Sequence, residues 1–439
     1  MGAHAVIVPY PGRGHVNPMM HLAWKLSSHR IPVTFVVTES WHKILTQADH
    51  NPFTYAPDIR AAIIPNCVVG ESERGRNITE FFLSLSNMEA HVAQLLTNLN
   101  RSGTAATCIV ADVFLKWALP FAKRHALRSV SLCPMSVTSF SIFDHLELGL
   151  EGLKDFIAGS PPLQSTDLPT YLTPPSPLVN EFIECFTNVR TADWIVANSF
   201  NALDFRAVEA QRHKTPVYCV GPLNMGFSSM PDSHCTEWLD TKPARSVIYV
   251  SFGSFITVAR PQVREIADGL MKTGCYFVWA LRPDKEASHF SEMLPTGFID
   301  VCEGRGLIAA WFRQAEVLRH PAVGGFLSHC GWNAVMESVS AGVPMLGFPL
   351  AVDQFFNCRY IVDEWKFGLG LKNGDDGNRV VRAEEIESKV KMLMEGEESV
   401  RFRRAAERFR DLAEEEVSRG GPSATSLEAL VNFINLNPQ

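Results

Sequence analysis

Thirteen short apolar runs, each followed by a longer amphipathic stretch, constrain this 439-residue chain more than any other feature. In the first half they are Ala5–Tyr10, Val33–Thr38, Ala61–Pro65, Cys108–Asp112, Ser129–Pro134, Trp194–Ser199 and Val217–Pro222. In the second half they are Val247–Phe252, Tyr276–Leu281, Gly306–Trp311, Gly324–Ser328, Val343–Pro349 and Gly368–Leu371. Continuous apolar runs, unlike alternating ones, describe strands buried on both faces. Separated by helical stretches, they predict an α/β fold of doubly wound parallel sheets. Gly221–Arg245 is rich in Gly, Pro, Ser and Asp, lacks periodicity, and reads as a linker between two Rossmann-like halves. In such sheets ligands sit beyond the carboxyl ends of the strands, so chemistry belongs in the loops that follow the runs.

Lysine and arginine total 40 against 47 acidic residues, a net charge of −7 that gives no bulk attraction to nucleic acid. None of the ten cysteines forms a CxxC pair, which excludes zinc-ribbon and thioredoxin spacings. Several, such as Cys108 and Cys219, lie inside apolar runs and read as reduced thiols of a cytoplasmic protein. The first apolar run is too short for a signal peptide, and Val6 stands where a myristoylation signal needs Ser or Thr. No stretch reaches the length of a membrane-spanning helix. The Asn77-Ile78-Thr79 triplet reads as an incidental glycosylation match, and Lys372–Arg379 as a surface turn. Glu384–Arg419 reads as an exposed helix laced with i,i+4 charge pairs.

The first loop of interest is Tyr10-Pro11-Gly12-Arg13-Gly14-His15-Val16-Asn17-Pro18, with a helix expected from near Asn17. Its glycines permit a tight turn and close approach to a ligand. Asn17 stands where the dinucleotide fingerprint needs a third small residue, and no Walker-type phosphate loop occurs anywhere. His15 fits two roles, a general base at neutral pH or a structural histidine at a helix end. His4, His21 and His29 read as structural. Asp112 ends a buried run and needs a partner. That partner is an imidazole at a neighbouring strand end, or the amides of a helix over Val113–Arg124 that it would cap.

The densest group lies in Trp311-Phe312-Arg313-Gln314, in Ser328–Glu337 and in Gly347–Gln354. A helix beginning after Gly331 offers its N-terminal amides to a diphosphate. Asn333 and Glu337 are four apart and share a face, where Glu337 can accept hydrogen bonds from a ribose diol. Trp311 presents a flat ring to a base, and Asp353 and Gln354 present short polar groups to sugar hydroxyls. Each piece alone has an ordinary structural role. Five such groups on successive strand-end loops do not.

Over 311–354 the chain resembles the donor-binding signature box of plant family 1 UDP-glycosyltransferases, and the likeness runs from the His15 loop to the helical C-terminus. The resemblance implies a GT-B fold, two facing Rossmann-like domains with an interdomain cleft. An acceptor-binding domain would span 1–222, a linker 223–245 and a UDP-sugar-binding domain 246–425, with a helix in 426–439 packing back on the first domain. It implies His15 as the catalytic base and Asp112 as its carboxylate partner. Trp311 would stack on uracil, Gln314 would lie near base and ribose, and Glu337 would hold the ribose hydroxyls. His329, Asn333 and Ser254 would hold the diphosphate, and Trp332, Asp353 and Gln354 would contact the sugar. Gly14, Phe312 and Ala334 complete the implied donor set. A Gln at position 354 accompanies glucose donors in this family. UDP-sugar is the implied co-substrate, with no metal or other cofactor, and the chain is expected to be monomeric. Five positions depart from the family pattern: Arg13 for Gln, Phe312-Arg313 for a small residue and proline, Ala334 for Ser, and Phe348 for Trp.

The expected reaction is inverting transfer of a sugar, glucose by the Gln354 criterion, to a small lipophilic acceptor such as a phenolic, flavonoid or terpenoid hydroxyl. Phe81-Phe82 and Ser139–His145 are expected to line its pocket. One alternative is a nicotinamide oxidoreductase on the same plan, disfavoured by Asn17 and by the lack of an acidic ribose ligand nearer than Thr38-Glu39. The other is a non-catalytic nucleotide-sugar binder, disfavoured by His15 and Asp112 occurring together.

Overall fold

The computed structural model describes residues 2–47, 51–54, 56, 58–70, 78–153, 157, 160–164, 167, 172, 176–225, 233–254, 257–284, 286–371 and 380–436. Asn77 and the turn expected at Lys372–Arg379 lie outside them. Every apolar run of the first half holds a strand: β1 (Ala5–Val8), β2 (Val33–Thr38), β3 (Ile59–Ile64), β4 (Cys108–Asp112), β5 (Arg128–Cys133), β6 (Trp194–Ala197) and β7 (Tyr218–Cys219). So does every run of the second half: β8 (Val247–Ser251), β9 (Tyr276–Ala280), β10 (Gly306–Ala309), β11 (Val323–Ser328), β12 (Met345–Gly347) and β13 (Gly368–Gly370).

The strands form two sheets, ordered β3-β2-β1-β4-β5-β6-β7 and β10-β9-β8-β11-β12-β13. Their pairings are parallel. Each order reverses direction once, beside β1 and β4 in the first sheet and beside β8 and β11 in the second. That reversal leaves a crevice at the strand ends. The central strands β1, β2, β4, β8 and β11 are buried along their whole length, as helices on both faces require.

By its contacts the chain divides into two compact units. The first comprises Met1–Gly159, Thr170–Met225 and Glu416–Gln439, and the second Ser160–Pro169 and Gly226–Glu415. The boundaries therefore differ from 222, 245 and 425. The expected linker also holds a helix, Ser233–Asp240, so it is not irregular throughout.

Eight helices place the groups discussed below. In the first unit these are α1 (Arg13–Ser28) and α2 (Ala118–Arg124). In the second they are α3 (Gln314–Arg319), α4 (Trp332–Ala341), α5 (Gln354–Arg359), α6 (Ala383–Met394) and α7 (Gly396–Val417). The chain ends with α8 (Pro422–Asn435), whose Leu430 and Ile434 are buried in the first unit's core with Ile7, Val33 and Val110.

The exposed helix expected over Glu384–Arg419 is two helices, α6 and α7, and α6 is not a solvated face. Ile386, Val390 and Leu393 repeat at helical spacing and are fully buried in the second unit's core. The charge pairing expected there does occur, as Lys391–Glu387 at 2.7 Å.

Candidate functional site

In the first unit, β1 and β4 lie side by side with Val8 opposite Ala111. Each feeds its loop into the crevice where the strand order reverses. The helix after β1 begins at Arg13 rather than near Asn17, because Gly12 is extended at φ −153° and takes the N-cap position. Pro18 falls inside α1. Neither Gly12 nor Gly14 adopts a positive φ, and a Cβ on Gly14 would meet open space. Their role as a strained turn is therefore not needed.

Starting the helix at Arg13 puts His15 in its first turn, facing the end of β4. Asp112 is only 1% exposed, and its Oδ2 lies 2.7 Å from His15 Nδ1. Its Oδ1 accepts the backbone N–H of Phe114 at 3.0 Å. Asp112 does not cap a helix over Val113–Arg124, because α2 starts at Ala118. With Asp112 as acceptor, Nδ1 carries the proton and Nε2 presents its lone pair. The Tyr10 ring lies over the imidazole at 4.4 Å between centroids, and the Phe114 ring stands at 5.6 Å. These two contacts fix the imidazole plane, and neither ring was singled out in the sequence.

The aromatic loops expected to line an acceptor pocket are more closely packed than that role implies. Phe81, Phe82, Phe140 and Phe143 are buried. Phe82 stacks on Phe182 at 5.0 Å, and Phe114 bridges to Phe82, Phe143 and Phe186. They form an aromatic wall behind Tyr10 and His15 instead of an open lining.

In the second unit, Ser328 at the end of β11 pairs with Ser251 at the end of β8. That register brings His329 against Gly253. A Cβ on Gly253 would fall 2.5 Å from His329 Nε2, and one on Gly331 would fall 2.4 Å from it. Gly253 also has φ +71°, a conformation side chains resist. The imidazole thus occupies a slot that two glycines leave open. Burial pushes its pKa down to about 4, with the Ser251 carbonyl opposing and Arg282 adding to the shift. It is neutral at pH 7, and its one N–H is turned to the Ser251 carbonyl.

Gly331 caps α4, so Trp332 and Asn333 occupy its first turn. The Trp332 ring is buried against Trp365 at 6.1 Å, and Phe312 and Ala334 are buried as well. A side-chain contact from Trp332 to a sugar is therefore not what this packing provides. Ser254 is exposed beyond Gly253. Trp311 lies two residues past β10 and is 55% exposed, the largest solvent-facing aromatic surface on these loops.

Gln314 opens α3 and donates through Nε2 to Glu337 Oε2. Packing around the Glu337 carboxyl raises its pKa to about 7, against the pull of the Gln314 amide and Arg319. Gln354 is buried, and its Oε1 accepts the backbone N–H groups of Leu350 and Ala351 at 2.8 and 2.9 Å. Only its amide hydrogens are left for a ligand. Asn357, which the sequence did not flag, donates to the Cys330 carbonyl at 3.0 Å and to Asp353 Oδ2 at 2.9 Å. It ties the His329 turn to the Asp353 loop. Both loops carry strained backbone beside the polar groups, at Cys330 (φ +62°) and at β-branched Val352 (φ +58°).

Two switch-point crevices, one with a His–Asp pair and one with donors and acceptors for a nucleotide, define a transferase with a nucleotide co-substrate. Comparison with known proteins gives the family. The model described as UDP-glucoronosyl and UDP-glucosyl transferase matches residues 204–397, and the glycosyltransferase N-terminal domain model matches residues 3–50. UDP-glycosyltransferase 86A1 of Arabidopsis thaliana is 34% identical over 98% of this chain and 94% of its own length. Linamarin synthase 1 of Manihot esculenta is 32% identical over 99% and 98%. Among solved structures, a UDP-glucosyltransferase from Polygonum tinctorium capable of glucosylating indoxyl matches at TM-score 0.87 and 27% identity, over 100% of this chain and 99% of that one. A Medicago truncatula enzyme complexed with UDP-glucose matches at 0.85 and 26%, over 99% of each.

The chain belongs to the plant UDP-glycosyltransferases, has the GT-B fold, and transfers sugar from a UDP-sugar to small acceptors. That membership decides against the oxidoreductase alternative. No helix among the described residues is long and apolar enough to cross a membrane.

Proposed function

We propose that this protein transfers glucose from UDP-glucose, with inversion, to a hydroxyl of a small, flat, apolar acceptor. The observation that carries the reading is the 2.7 Å His15–Asp112 pair at the switch point of the first sheet. His15 Nε2 takes the acceptor's hydroxyl proton, and the oxygen attacks the anomeric carbon from the face opposite UDP. The bond from that carbon to the diphosphate breaks, and UDP leaves with its electron pair. Asp112 stabilises the imidazolium that forms.

The donor is assigned to the second unit, with uracil on Trp311 and the ribose hydroxyls on Glu337. The diphosphate falls to the first-turn amides of α4, with Ser254 and Asn333 as further donors, while neutral His329, its one N–H on the Ser251 carbonyl, packs against the Gly331 cap of that helix. No metal is assigned a step. The sugar is read by Asp353 as acceptor and by the Gln354 amide as donor. The acceptor is assigned to the first unit, beside His15 and the Tyr10 ring that covers it. The test is UDP release with a panel of acceptors and UDP-sugars, with the anomeric configuration of the first-formed product read by proton NMR. A product that retains the donor's configuration sinks the single-displacement reading.

Glu337 adds a pH signature. Its carboxylate is the form that accepts from ribose hydroxyls, and its pKa of about 7 puts the change inside the working range. Uridine, which has no phosphate to titrate, is expected to bind more tightly at pH 8 than at pH 6, with proton release on binding at the lower pH. In Glu337→Gln the dependence should flatten. Calorimetry in buffers of differing ionisation enthalpy measures both. The sign for stability is opposite: the folded carboxyl has a raised pKa, so its contribution is lost as pH rises from the unfolded value toward 7.

A further inference from the structure

Helix α5 carries Gln354 at its first position and Arg359 at its last, and runs on without a break into a π-helical stretch, Tyr360–Glu364. A helical stretch this short is marginal by itself, so its direction is set by what holds it. At the N-terminal end Gln354 is locked to Leu350 and Ala351, and one turn on Asn357 reaches Cys330 and Asp353. The C-terminal end is held by an ion pair between Arg359 and Asp167. The pair is well sheltered, with side-chain exposures of 16% and 11%. Arg359 also faces Asp363 at 3.5 Å, but Asp363 is half exposed.

Asp167 is fixed before it meets Arg359. Its Oδ2 accepts the Gln164 backbone N–H at 2.8 Å, and its own N–H donates to the Gln164 carbonyl at 3.0 Å. It comes from Ser160–Pro169, which groups with the second unit although the chain before and after it belongs to the first. Nothing in the donor signature box points to a carboxylate 192 residues from Arg359.

We propose that Asp167 is a positioning residue for the sugar subsite, acting through Arg359 to set the angle of α5 and hence the placement of Asp353 and Gln354. The inference rests on the donor assignment above and adds to it a segment of the N-terminal half. The nucleotide contacts sit on other elements, Trp311 after β10, Gln314 on α3 and Glu337 on α4. Loosening α5 should therefore weaken recognition of the sugar more than that of UDP, whose diphosphate it reaches only through Asn357 and the Cys330 carbonyl.

The experiment titrates UDP, UDP-glucose and UDP-galactose into the full-length protein and its variants. In Asp167→Asn, affinity for UDP-glucose is expected to fall about tenfold or more, as small misplacements of binding groups do, with a clearly smaller loss for UDP. Discrimination between the two C4-epimeric donors should shrink with it. Asp167→Glu should recover part of the loss. The exchange Asp167→Arg with Arg359→Asp should recover more than either single change. Equal losses for UDP and UDP-glucose, or no loss, would overturn the positioning role, as would an exchange no better than its components. Wild-type protein that ignores UDP-glucose overturns the donor assignment and this inference together. Wild-type binding with Asp167→Asn unaffected overturns this inference alone.

Discussion

His15→Ala is expected to lower turnover by about 10²–10⁴-fold while UDP binds as before, since a positioned general base contributes on that scale. The geometry behind this is local. The imidazole is held by Asp112 at 2.7 Å on one nitrogen and by the Tyr10 ring on one face, so Nε2 alone is placed to take a proton. Asp112→Asn should also cut turnover, because an amide can donate to Nδ1 and select the wrong tautomer. If the two act as a unit, His15→Ala with Asp112→Ala should cost little more than His15→Ala by itself. Steady-state rates with the best acceptor of the panel, alongside UDP titrations, give both quantities. Turnover of His15→Ala within about threefold of wild type would refute the assignment.

What the sequence disclosed follows from where each signal is written. The strands were legible because burial on both faces leaves continuous apolar runs, and thirteen of them locate the strands to within a few residues. Strand order was not, since no residue in β1 announces that β4, about a hundred positions on, will be its neighbour. The His15–Asp112 pair depends on that adjacency, so composition could nominate both residues but not join them.

The helix start near Asn17 was misread because Pro18 resembles a first-turn proline, whereas extended Gly12 makes the earlier start possible. In Glu384–Arg419 the abundance of Glu and Arg masked a readable spacing of Ile386, Val390 and Leu393. Trp332 was assigned to the sugar on family pattern, and its ring is spent on Trp365. Asn357 and Asp167 carry no local signal, because each acts on a loop remote in sequence.

Gly253→Ala is expected to damage the donor unit in two ways, and the two causes can be separated. Backbone at φ +71° costs an alanine about 1–2 kcal/mol relative to glycine. The new Cβ also falls 2.5 Å from His329 Nε2, a contact that must be relieved by moving the ring. Overpacking of that kind adds about 1–3 kcal/mol. The sum, about 2–5 kcal/mol, should appear as a lower urea midpoint and as weaker UDP binding, because the ring that moves packs against Gly331, the cap of α4. Removing the imidazole in Gly253→Ala with His329→Ala deletes the collision and keeps the backbone strain. The double variant should therefore be more stable than the sum of the two single changes predicts. Strict additivity in stability would show that the glycine answers to backbone conformation only. The close approach of His329 would then play no part in why position 253 must lack a side chain.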